Sequence, residues 1–134
     1  MLNQSVGYAI TALGYLANDM GRPVPVREIS KATRVPAYYL AKIIHTLARR
    51  GLVTTQRGTG GGVLLAQDPK QLTLYDICVA LDDPVVKRRC LLELADCSDE
   101  RACPAHGFWS FHRQQFVEFL RRTTLQEMAD LLAR

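Results

Sequence analysis

The chain has 134 residues, 48% of them hydrophobic and 22% charged, which suits one compact globular unit that needs no disulfide staples. Eight Lys and Arg against two Asp and Glu in residues 1–67 give +6, and nine against eleven in residues 68–134 give −2, so the first half is expected to meet a polyanion. No stretch runs apolar for the roughly 20 residues of a membrane span, and residues 1–20 lack a basic leader with a cleavage site; a cytoplasmic protein without membrane contact is expected, in which clustered cysteines favour metal or redox chemistry over structural disulfides.

A first helix is expected over residues 4–20, with Val6, Ile10, Leu13, Ala17 and Met20 on one face. "GRPVP" then turns the chain into a short helix, "VREISKAT", which "RVP" breaks. Pro36 suits the first turn of a third helix, "PAYYLAKIIHTLARR", and Gly51 its left-handed end. "LVTTQ" and "VLLA" read as short strands around "RGTGGG". Thr73 with Asp76 caps a fourth helix, "LYDICVALDD". A cysteine loop follows, then a long helix from about His106 to Arg122, and Thr124 with Glu127 caps a last one.

Three helices and a hairpin form the order of a winged helix-turn-helix. The expected fold is therefore mainly α with a small β-hairpin wing and a long C-terminal dimerisation helix. Residues 1–83 would make the DNA-binding region, and residues 84–134 the cysteine loop and dimerisation helix, within one compact unit. The long helix carries Phe108, Trp109, Phe111, Phe116 and Leu120, too many apolar groups to stay wet. It either packs back on its own chain or forms a homodimer seam. The seam is favoured, because such modules bind two-fold DNA sites.

On the third helix, Leu40, Ile43, Ile44 and Leu47 make one apolar stripe, while Tyr38, Lys42, His45 and Arg49 fall on the opposite face. That face suits a major groove, with Lys42 or Arg49 on guanine edges or phosphates. At the hairpin tip, Gly58 and Gly60 permit close backbone approach, and Arg57 is placed to enter a minor groove or grip phosphate. The glycines do not make a nucleotide loop. No Lys-Ser/Thr follows them, and no helix opens from them.

The loop reads Cys90-x6-Cys97-x5-Cys103-x2-His106. It has no short C-x2-4-C knuckle of the structural zinc type. Its wider gaps suit an iron–sulfur cluster held by Cys90, Cys97, Cys103 and His106, with zinc or a thiol switch as the alternatives. Cys78 lies on an apolar helix face and reads as a buried inert thiol. His112, six residues beyond His106, points elsewhere. Three clustered thiols are poor design for a nucleophile, and an enzyme is not expected.

The wing "LARRGLVTTQRGTGGGVLLA" and the loop ending "CPAHGFW" resemble the IscR/NsrR/CymR family of bacterial regulators, the Rrf-two family, and the resemblance spans nearly the whole chain. It implies a homodimeric transcription factor that binds double-stranded DNA at a palindromic operator, acts as a repressor, and senses redox, iron–sulfur or nitric-oxide status. The three cysteines place it with the cluster-binding branch. His106 matches the histidine of the iron–sulfur biogenesis regulators, which implies [2Fe–2S] over [4Fe–4S]. Two departures stand beside that match: the first gap is one residue longer, and Ala41 replaces an acidic reader residue. Besides a zinc or thiol switch, an iron–sulfur carrier whose basic half docks a protein remains as a rival.

Overall fold

The computed structural model describes residues 2–87, 89, 91, 92, 96, 100 and 103–133. Along the chain these form α1 (Gln4–Ala17), α2 (Val26–Thr33), α3 (Ala37–Arg49), β1 (Val53–Gln56), β2 (Gly62–Leu65), α4 (Leu74–Ala80), α5 (His106–Arg122) and α6 (Leu125–Leu132), with a 3-10 turn at Pro84–Val86. The strands pair antiparallel in the register Val53↔Leu65 to Gln56↔Gly62. This is a winged helix-turn-helix with three further helices, as the element order implied.

Most ends obey local chemistry. Asn3 caps α1 by accepting the Val6 N–H. Arg34 ends α2 in the left-handed region at φ 62°. The end of α3 is a full Schellman motif: Gly51, at φ 79°, donates to Ala48, and Leu52 donates to Leu47 at 3.0 Å. Leu52 and Leu47 are both buried, which closes the apolar contact that accompanies such an end.

Several boundaries differ from expectation. α1 stops at Ala17, so Met20 lies outside the helix and is exposed. Pro36 sits at the N-cap of α3 in extended backbone rather than inside the first turn. Each strand begins one residue away from the sequence reading. α4 ends at Ala80 because Asp82 adopts φ 57° and Asp83 turns to cap the 3-10 turn.

One core gathers these elements. Val6, Ala9, Ile10, Leu13 and Leu16 of α1 meet Ile29 of α2, the α3 stripe, Leu74 and Ile77 of α4, and Leu120 and Leu125 near the C-terminus. α1 is therefore buried on more than one face: Gly14 lies close under Ala129 and Leu132 of α6, and Asn18 donates to the Ala129 carbonyl. Both expected capping boxes form, at Thr73–Asp76 and Thr124–Glu127. They lie side by side, since Thr73 and Thr124 pair in a β-bridge while Leu74 donates to Thr123 and Leu125 to Leu72.

The long helix partly packs on its own chain. Leu120 is fully buried and Phe116 lies against the core, whereas Phe108 and Phe111 stay 67% and 60% exposed. Own-chain packing accounts for the first two, while Phe108 and Phe111 in the first two turns and Phe119 near the helix end, 48% exposed, stay open.

Candidate functional site

α3 divides cleanly. Leu40, Ile43, Ile44 and Leu47 are buried, and Tyr38, Lys42, His45 and Arg49 are all exposed on the other side. The Lys42 ammonium lies 4.4 Å from the Tyr38 ring centre, a cation–π contact that holds both groups at the surface. Tyr39, which sequence reading passed over, packs edge-on to Tyr38 and against Tyr8 of α1. The exposed face of α3 is thus braced from the first helix.

A second surface group links α1 to α2. Glu28 accepts from the Tyr15 hydroxyl and from Arg22, which also pairs with Asp19. The Arg22 guanidinium, and after it the Tyr15 hydroxyl, hold the Glu28 carboxyl below the usual carboxylate range.

The wing lies beside α3. Arg57 follows β1 directly and is exposed, and Gly58 and Gly60 take φ values of 88° and 78°. Gly61 donates to the Gly58 carbonyl, closing the tip. The second strand of the wing is joined on the tip side, at Val63, to the chain before α2 by an antiparallel bridge with Val24, which ties the wing to the helix-turn-helix.

Of the four sulfur and imidazole donors in the cysteine loop, Cys90 and Cys97 lie outside the described residues. Cys103 and His106 are brought together: both are half-buried at the start of α5, and the His106 N–H donates to the Cys103 carbonyl at 3.0 Å. A thiol and an imidazole within one turn, neither sealed in the core, form a donor pair that fits iron or zinc. His112 is exposed, stacked on Phe108 with ring centres 4.0 Å apart, and apart from that pair. Cys78 is fully buried, and burial first, then nearby Asp83, pushes its thiol up to about 12.

Two residues that sequence reading left without a role frame the loop. Asp83 is buried, and its carboxylate accepts the N–H groups of Asn3 and Val85. Trp109, expected only as an apolar seam residue, donates its indole N–H to the Arg89 carbonyl at 2.9 Å. Asp83 was legible as the residue before a proline, a common turn opener; nothing local marked the partner of Trp109.

Comparison with known proteins agrees with this geometry. A family model described as Rrf2, iron-dependent transcriptional regulator, matches residues 2–131. A protein of Aquifex aeolicus assigned to the HTH-type transcriptional regulators is 34% identical over 98% of this chain and 92% of its own. The HTH-type transcriptional regulator IscR of Cronobacter sakazakii is 32% identical over 92% of this chain and 76% of its own. Among solved structures, CymR, titled the global cysteine regulator of B. subtilis, superposes with a TM-score of 0.80 at 26% identity, covering 98% of this chain and 97% of CymR. These relatives are named as regulators, not enzymes. Among the described residues no helix is long and apolar enough to cross a membrane.

Proposed function

The chain belongs to the Rrf2 family of transcriptional regulators, and from that membership we propose a cytoplasmic repressor that binds a palindromic operator as a homodimer and senses redox, iron–sulfur or nitric-oxide status through an iron–sulfur cluster. The observation that carries the DNA-binding mode is the division of α3 into a buried stripe and an exposed face of Tyr38, Lys42, His45 and Arg49. Two such faces must lie one DNA turn apart, roughly 34–36 Å, to enter successive major grooves. The exposed Phe108 and Phe111 on α5 supply the apolar surface through which a second copy would set that spacing. Arg57, Gly58 and Gly60 then approach the flanking backbone or minor groove. Residues 1–83 serve the reading function and residues 84–134 the sensing function, although they share one core.

Cys103 and His106 support the sensing half, with Cys90 and Cys97 as the sequence donors that complete a set of four. The likeness of His106 to the histidine of the iron–sulfur biogenesis regulators favours [2Fe–2S] over [4Fe–4S]. When bound, the cluster supplies a redox couple and sensitivity to oxidants. The chain's own residues do the rest: His106 opens α5 with Cys103 three residues before it, and Asp83 joins the segment entering the loop to the cap of α1. The family description as iron-dependent agrees with this reading.

Visible absorption and Mössbauer spectra of protein purified without oxygen test it, with iron–sulfur signals expected. Colourless, iron-free protein that resists reconstitution overturns the cluster and leaves a zinc or thiol switch. That second reading is favoured by the close superposition on the cysteine regulator CymR. Selection from a randomised duplex library tests the DNA half. An inverted repeat is expected, whereas no enrichment leaves a carrier protein.

A further inference from the structure

We propose that Trp109 is a positioning residue for the cysteine segment: its indole N–H fixes the backbone just before Cys90 onto the helix that begins with His106. The proposal rests on the cluster reading and adds a residue that is not one of its four donors.

The geometry is a double grip. Trp109 lies one turn beyond His106 on α5, and its Nε1–H donates to the Arg89 carbonyl at 2.9 Å in a half-buried setting. Four residues on, Arg113 donates through Nε to the Lys87 carbonyl at 2.9 Å. Side chains at that spacing share one helix face, so one face of α5 holds two carbonyls of the same short segment. The segment is braced within itself, since the Arg89 N–H donates to the Lys87 carbonyl at 2.8 Å. On its other side Arg89 pairs with Asp96 in an antiparallel bridge. Arg89 directly precedes Cys90 in sequence, and Asp96 directly precedes Cys97.

Trp109 therefore ties the residues before the first two cysteines to the helix turn that begins with His106. Without such a tie, four donors spread over seventeen residues would each have to be ordered when the cluster binds, at an entropic cost. Trp109 does this as an N–H donor. A role as mere apolar filler would need only its ring.

The test compares wild type, Trp109→Phe, which removes the donor, and Trp109→His, which restores a ring N–H. All are full-length chains reconstituted anaerobically with iron and sulfide. Iron and sulfide content is measured first, then the decay of visible absorption under an iron chelator. Trp109→Phe is expected to load and then release iron about two- to tenfold faster, the range one hydrogen bond supports, with Trp109→His nearer wild type. Equal release rates overturn the clamp and leave the cluster reading intact. A wild type that takes up no iron or sulfide overturns the cluster reading and the clamp with it. Should Trp109→Phe not fold, exchange of the single indole N–H in the wild type decides: slow exchange supports the bond, and exchange as fast as in the unfolded chain overturns it.

Discussion

The carboxylate of Asp83 accepts the backbone N–H of Asn3 at 3.0 Å, joining positions 80 residues apart in the chain. Its other oxygen accepts the Val85 N–H at 2.9 Å, and Asn3 itself caps α1 through the Val6 N–H. One buried side chain thus fixes both the start of α1 and the entry to the cysteine loop.

Asp83→Ala leaves two N–H groups without that acceptor, so a loss of about 1–3 kcal/mol is expected by urea unfolding. Asp83→Asn keeps one carbonyl oxygen and should lose less. A loss below about 0.5 kcal/mol in the alanine variant, within the range of ordinary surface changes, would show that the joint is not structural.

The wing glycines are not equivalent. At Gly62, φ is 153° and an added Cβ would lie 2.4 Å from the Val24 carbonyl carbon, while at Gly58, φ is 88° with open space around it. Gly62→Ala must therefore push apart the Val24–Val63 bridge, whose two bonds measure 3.0 and 2.8 Å. Gly58→Ala pays only left-handed strain of about 1–2 kcal/mol. Thermal unfolding should rank Gly62→Ala well below Gly58→Ala, and the reverse order would mean that the bridge does not anchor the wing.

Arg57 is exposed beside the wing tip. If it meets a phosphate or a minor groove, Arg57→Ala weakens operator binding and lowers the slope of log affinity against log salt by about 1. Fluorescence anisotropy at several salt concentrations measures both. An unchanged slope with unchanged affinity would remove the wing from the interface.

Sequence periodicity revealed the exposed face of α3 because the helix packs on one side only, so its stripe of Leu40, Ile43, Ile44 and Leu47 repeats cleanly. Both capping boxes were equally legible, being local hydrogen-bond chemistry between Thr73 and Asp76 and between Thr124 and Glu127. What escaped is long-range. That the two boxes lie side by side depends on Leu74 and Leu125 exchanging partners with Thr123 and Leu72. The split of α5 into a buried end at Leu120 and an open start at Phe108 depends on where α4 lies, which no pattern within α5 encodes. Cys103 and His106 stood out as candidates because their spacing is itself local.

Cys78 gives a pH test with a definite sign. Its thiol, ordinarily near 9.0, is pushed up to about 12 by burial and then by Asp83. Below pH 9.0 the folded and unfolded chains both hold that proton, so its contribution to stability is fully present there. As pH rises from 9.0 towards 12 the unfolded chain loses the proton while the folded chain keeps it, and stability falls through that window. Cys78→Ala should cost about 1 kcal/mol at neutral pH and lack this part of the decline. Tyrosines and lysines titrate in the same range in both proteins, so the difference between the two stability curves isolates Cys78. Parallel curves from pH 8 to 11 would mean that the folded protein opens readily around the thiol, and rapid alkylation of Cys78 at pH 8 should then accompany them.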